Sequence, residues 1–337
     1  MEEALSDATI HPEKILKELS ELWVTLAKPD PSGESAGSAA GVLRACAMTL
    51  ITVVDESEDP ANVGETLACL MREHPSRAIV IRLRESSERE LSAQVLAQCW
   101  MPFGGRQQIC CEQIEIISSD ASLPDIPAVA LPLAVPDLPV ILWCRSARLF
   151  AMESFPLLAS LAEKVVVDSA ALCGKSGDPA TALRELAKLT TSGRIISDLE
   201  WTRLTRWREL ISQIFETREN LDSLKSVDRV VIGHTPAKPT AAARYLAAWT
   251  ALALGKIGVA PEVRFQQGSA SIELAGGDTC LMMKKVGAAV EYRVRSQTGR
   301  AVFAKESDYT LLREELSIPG RDTLFEACLG RAVADLP

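Results

Sequence analysis

Apolar residues fall at helical spacing over residues 12–27, with Ile15, Leu19, Leu22, Trp23 and Leu26 on one face and Glu13, Lys14, Lys17, Glu18 and Glu21 opposite. Pro12 suits a first turn, so the segment predicts an amphipathic helix. A Pro/Gly/Ser/Ala stretch from Pro29 to Gly41 reads as a flexible connection. The period then changes. Leu43–Val54 is a long apolar run with β-branched residues toward its end, the pattern of a strand buried on both faces. Pro60–Glu73 puts Val63, Leu67, Leu70 and Met71 on one helical face, and His74-Pro75 ends it because the residue before proline disfavours the helical region. Ala78–Leu83 follows as a strand, which makes this portion β-α-β with a connection of crossover length.

Leu91, Ala93, Val95, Ala97 and Cys99 alternate with more polar neighbours and predict a half-buried strand. Ile109–Ile117, Val140–Trp143 and Val165–Val167 read as further strands, the last two short and wholly apolar. Residues 1–172 are therefore expected to form a mixed α/β sheet domain. The Gly174–Pro179 stretch marks a boundary, and residues 173–337 change character. Helical patterns at Thr181–Leu189, Thr205–Phe215 and Thr240–Leu254 surround a strand at Arg229–Ile232. Short alternating strands then centre on Val263/Phe265, Ile272/Leu274 and Val290/Tyr292/Val294, with glycines at hairpin spacing. Helices at Tyr309–Leu316 and Asp322–Val333 close the chain. The second half is expected to be an α+β domain with an antiparallel sheet, and the whole an α/β protein.

At 337 residues the chain is long enough to bury a core without disulfides or metals. A net charge of −9, from 36 Lys+Arg and 45 Asp+Glu, argues against nucleic acid as a partner, since phosphate backbones need a concentrated positive field. No membrane span is expected either, because prolines 127, 132, 136 and 139 interrupt the longest apolar stretch, Ile126–Cys144. Three histidines (His11, His74 and His234) are too few for imidazole-rich chemistry, and the nine cysteines include no CxxC hairpin for a metal. The cysteines read as core thiols, and their odd number without a secretory signal points to the cytoplasm.

Two short motifs invite a catalytic reading. Gly33-Glu34-Ser35-Ala36-Gly37 matches GxSxG, but no strand precedes it to form a nucleophile turn. Gly174-Lys175-Ser176 resembles the end of a phosphate-binding loop, yet Ser169 stands where the first glycine belongs. No cofactor is therefore expected. The alternative is an α/β enzyme or binding protein for a phosphorylated metabolite or nucleotide, using the strand ends near Asp168 and 174–176.

A series of segments in fixed order carries a family resemblance: His74-Pro75-Ser76-Arg77-Ala78-Ile79-Val80, Cys111–Ile114, Asp137–Val140 through Leu142-Trp143, and Val165–Ser169. Asp198-Leu199-Glu200-Trp201-Thr202-Arg203-Leu204-Thr205-Arg206-Trp207-Arg208-Glu209 and Tyr245–Trp249 complete it. The series resembles the OpcA family of glucose-6-phosphate dehydrogenase assembly proteins of cyanobacteria and actinobacteria. The resemblance implies a non-catalytic partner that binds and activates glucose-6-phosphate dehydrogenase by favouring its active oligomer, at the entry to the oxidative pentose phosphate pathway. It also implies thioredoxin-linked redox control.

Within those segments Trp201, Arg203, Trp207 and Arg208 are candidates for the partner surface, since Trp and Arg are enriched in binding hot spots. His74 and Arg77 are further candidates. The same residues also read as core tryptophans, a helix stop and arginines bracing nearby carboxylates. Thr205 is expected to cap a helix whose apolar face is Trp207, Leu210, Ile211, Ile214 and Phe215.

Overall fold

The longest buried runs of the sequence become the middle of a parallel sheet. A computed structural model describes residues 10–26, 42–100, 108–172, 178–276, 278–303 and 306–334, and the chain divides into two compact units, Met1–Val167 and Asp168–Pro337. The GxSxG match and the Gly174-Lys175-Ser176 segment lie outside the described residues.

In the first unit α1 (Pro12–Leu26) precedes β1 (Val42–Arg44), β2 (Met48–Asp55), α2 (Pro60–Glu73), β3 (Ser76–Arg84), β4 (Leu91–Trp100) and β5 (Gln108–Ser119). Then come α3 (Ile126–Leu133), β6 (Val140–Cys144), α4 (Ala147–Phe150), α5 (Phe155–Ala159) and β7 (Lys164–Val167). The strands run in the order β5-β3-β2-β6-β7, all parallel, with β4 antiparallel on the other edge of β5. β2 and β3 are buried at every position but their last, as expected of parallel strands covered on both faces. The half-buried β4 takes the edge, which its alternating pattern fits.

The run Leu43–Val54 is two strands, not one. Ala45 donates its N–H to the Cys110 carbonyl (3.2 Å) and Ala47 donates to that of Pro75 (2.7 Å). The chain thus leaves β5 and moves to the side of β3 within three residues, and a single strand cannot follow both neighbours. The proline-interrupted stretch after Ile126 holds a helix, α3, with Pro127 in its first turn, where the missing N–H costs nothing.

The β4–β5 register sets Cys99 opposite Cys110, and the two form a disulfide with Cα atoms 4.1 Å apart. This corrects the reading of both as core thiols. The alternation of β4 could not show which residue of β5 it faces. Cys111, Cys144, Cys280 and Cys328 are buried free thiols, Cys69 is exposed, and Cys173 lies outside the described residues.

The second unit runs α6 (Ser169–Leu172), α7 (Pro179–Thr191), β8 (Ile195–Asp198), α8 (Leu199–Thr202), α9 (Thr205–Ile214), α10 (Arg218–Ser223), β9 (Arg229–His234) and α11 (Ala241–Gly255). The strands β10 (Glu262–Gln267), β11 (Ser271–Gly276), β12 (Asp278–Val286), β13 (Ala289–Val294) and β14 (Gln297–Val302) follow, then α12 (Asp308–Leu316) and α13 (Thr323–Ala334). The sheet order is β10-β9-β11-β12-β13-β14. It is mixed rather than wholly antiparallel, because β10 pairs parallel to β9 after the α11 crossover. Strands β12 and β14 complete the hairpins that the alternating pattern shows only in part. Their turns are two residues long: Gly287 takes φ 60° between β12 and β13, and Arg295 takes φ 53° before β14. Helix α11 packs against α13, α7 and β9, which explains why its buried positions run almost all round.

Candidate functional site

The Asp198–Glu209 segment is held by a buried carboxylate. Asp198 ends β8, and its Oδ1 accepts the N–H groups of Ser169 (2.9 Å) and Glu200 (3.0 Å), so it caps α8. Its Oδ2 accepts the hydroxyl of Tyr245 on α11 (2.8 Å). Burial pushes the Asp198 carboxyl up to about 6, against the pull of these donors, and pushes the Tyr245 hydroxyl above its ordinary range.

From this anchor the next two turns run on with Leu199, Trp201, Thr202, Leu204 and Trp207 buried. Arg203 gives a two-pronged fork to Asp168, Nη1 to Oδ1 (2.8 Å) and Nη2 to Oδ2 (2.6 Å), while Nη1 also meets Glu200 Oε2 at 2.8 Å. Burial works against the Arg203 charge, but the two carboxylates hold its pKa above the ordinary value. Burial raises that of Glu200. Trp201 is interior at 2% exposed, with its Nε1–H donated to Asp322 Oδ2 (2.9 Å) and its ring against Tyr245 and Phe325. Arg208 stacks on Trp201 with its guanidinium carbon 3.6 Å from the ring centroid.

Thr205 does not cap α9. It is the first helical residue, Leu204 occupies the cap without a side-chain bond, and the Thr205 hydroxyl donates to Glu314 Oε1 (2.7 Å). With Thr202 bonded to Glu315 (2.7 Å), both threonines tie the segment to α12. The cap reading followed from residue type, and these partners more than a hundred positions away carry no local signal.

Arg203 and Trp207 line a cleft of about 630 Å³, together with Glu200, His234, Lys285 and Glu306. Trp207 meets Phe303 edge-on at 6.0 Å. His234 Nδ1 lies 2.8 Å from the Pro236 carbonyl, a contact it makes as donor. The cleft therefore mixes two acids with three basic side chains over an apolar floor, an arrangement suited to binding. His234, Lys285 and Glu306 were not singled out by sequence, because they come from three separate stretches with no motif.

The other candidates lie in the first unit. His74 ends α2, giving its N–H to Leu70 O (2.7 Å). Arg77 is buried and braces Glu112, with Nε 2.6 Å from Oε2, and Nη1 reaches the Leu133 carbonyl (2.6 Å). Glu112 also meets Arg44 (2.8 Å) and accepts the Trp23 indole N–H (2.5 Å).

In open α/β sheets ligands bind beyond the carboxyl ends of the strands. Here that rim is occupied by the unit's own side chains. Arg84 pairs with Glu56 and Glu90, Arg145 with Glu58, and Arg148 with Asp55 and Asp120, while Ser146 donates to Asp55 (2.7 Å). Asp168, the strand-end group of the alternative reading, has both oxygens taken by Arg203. Among the described residues no group of three or more His, Cys, Asp or Glu could hold a metal, and no helix is long and apolar enough to cross a membrane. Burial pushes the Cys144 and Cys328 thiols up to about 12 and that of Cys111 to about 11, which keeps them out of thiolate chemistry.

Fold and site define a two-unit α/β protein whose strand-end rim is closed by ion pairs and whose second unit carries a charged cleft. Residues 68–188 match the glucose-6-phosphate dehydrogenase subunit N-terminal domain and residues 194–329 the corresponding C-terminal domain, and the chain belongs to this OpcA family. A Synechocystis protein called putative OxPP cycle protein OpcA is 28% identical over 194 residues, covering 57% of this chain and 39% of its own length. Its namesake from Synechococcus elongatus is 29% identical over 186 residues, covering 54% and 40%. The match thus takes in about two fifths of these relatives. A biliverdin reductase structure from Synechocystis aligns over 85% of this chain and 97% of its own, with a TM-score of 0.40 and 13% identity.

Proposed function

We propose that this protein is a non-catalytic partner of glucose-6-phosphate dehydrogenase in the oxidative pentose phosphate pathway, binding the dehydrogenase and favouring its active oligomer. The observation that carries this reading is that both halves of the chain match the two domains of a dehydrogenase subunit family. The closed strand-end rim supports a scaffold over an enzyme. Such a partner shifts the dehydrogenase only by as much as it prefers the active oligomer. In this proposal Arg203 and Trp207 at the cleft make the contact, with Trp201 and Arg208 stacked on each other in the same segment and His74 and Arg77 in the first unit. Thioredoxin-linked control belongs to the same proposal, and the Cys99–Cys110 disulfide is the pair that reduction would open.

The test is kinetic. The purified chain alone is expected to leave glucose 6-phosphate unoxidised, and its addition to the cognate dehydrogenase is expected to change substrate affinity or turnover. Absence of any kinetic effect, under both reduced and oxidised conditions, would sink the proposal.

A further inference from the structure

Arg244 on α11 is 7% exposed, and its buried Nε–H has no acceptor among the described residues. The carboxylate in electrostatic reach, Asp178, is occupied elsewhere: Arg184 and Lys238 each lie 3.7 Å from it, and Thr181 donates to it at 2.9 Å. The contact that Arg244 does make is with the Phe265 ring, 5.8 Å from its guanidinium carbon. Burial, with Arg184 nearby, disfavours the charge more than Asp178 supports it. A guanidinium nevertheless stays protonated, so the side chain cannot relieve the cost by losing its proton. The buried arginine Arg77 shows the ordinary solution, an ion pair within the chain. A fixed buried cation that no described carboxylate pairs with directly is costly unless something supplies that partner.

The surroundings fit such a supply. Arg244 lines a pocket of about 270 Å³ with Ala247, Ala248, Pro261, Val263, Phe265, Arg331 and Ala332. Among the described residues the lining holds two arginines and no carboxylate. Arg244 and the alanines are buried, whereas Arg331 is exposed. Small side chains leave room in front of the guanidinium, whose planar fork matches two oxygens of a carboxylate or phosphoryl group.

We propose that this pocket binds the oxyanion group, phosphoryl or carboxylate, of a small metabolite, with Arg244 as its buried counter-charge. Arg331 adds an outer positive charge, and Phe265, Val263 and Pro261 pack against the rest of the ligand. The volume suits one compact metabolite rather than a cofactor of dinucleotide size. This site is separate from the cleft at Arg203, and its occupation does not depend on any dehydrogenase.

Thermal unfolding of the full chain with inorganic phosphate or malonate, against sodium chloride at matched ionic strength, tests the site. One of the two anions is expected to raise the unfolding temperature in a saturable way, and which one does so separates phosphoryl from carboxylate ligands. Arg244→Met is expected to abolish the shift and to make the ligand-free chain more stable. Arg331→Ala is expected to weaken binding about fivefold, as for one exposed charge. The proposal is overturned if neither anion stabilises the chain beyond chloride, or if Arg244→Met responds like the parent. Should that variant not fold, unchanged affinity in Arg331→Ala overturns it instead.

Discussion

Arg77→Met is expected to remove about 3–5 kcal/mol of stability, the loss seen when a buried carboxylate is stripped of its ion-pair partner. Glu112 is 3% exposed and receives Arg77, Arg44 and the Trp23 indole. Arg44 is half exposed and shares its charge with water, so Arg77 supplies most of the compensation. The variant also strips the Leu133 carbonyl, at the end of α3, of its side-chain donor. The double variant Arg77→Met/Glu112→Leu is expected to recover a large part of the loss, since replacing both ions by apolar groups removes the uncompensated charge. Urea unfolding of the parent, single and double variants checks this. A single-variant loss below about 0.5 kcal/mol, within the range of an ordinary surface substitution, would contradict the role given to Arg77.

The second large effect is a pH dependence centred on Asp198. Its carboxyl titrates at about 6 in the folded chain against an ordinary 3.8, chiefly because burial disfavours the charge. The folded state then holds this proton more tightly than the unfolded state, and stability falls as pH rises from about 4 through about 6. Near neutral pH the full penalty is present, about 3 kcal/mol for a shift of that size. Asp198→Asn keeps an oxygen for the Ser169 and Glu200 N–H groups and leaves the Tyr245 hydroxyl able to turn and accept. The expected result is that this variant loses the fall in stability over that window, so its stability relative to the parent grows with pH. Denaturant unfolding at several pH values gives the difference directly. Parallel profiles for parent and variant would show that Asp198 does not titrate in this range.

Both effects lie where local pattern gives way to long-range contact. The chain's periodicities locate its helices and most strands, because a stripe of Val63, Leu67, Leu70 and Met71 or an unbroken Val165–Val167 reflects which faces are buried. Register is a different matter. Nothing near Leu43 says that the chain changes neighbours at Ala45, and nothing near Cys99 names Cys110 as its partner. The ordered segments of the family resemblance contain Asp198, Arg203 and Tyr245, yet their roles depend on contacts across 35 and 47 positions. Trp201 and Arg77 look alike to composition as surface or core residues, and only their surroundings distinguish an anchor from a contact. The Arg244 pocket left no trace in sequence at all, since an alanine-rich helix hides how much space its small side chains leave.

Sedimentation velocity on the cognate dehydrogenase, with and without an equimolar amount of this protein, tests the central reading most directly. The expected result is a heavier species containing both chains, with the dehydrogenase shifted toward its larger oligomer. Two components that sediment independently, with the dehydrogenase's own oligomer distribution unchanged under reduced and oxidised conditions alike, would contradict it.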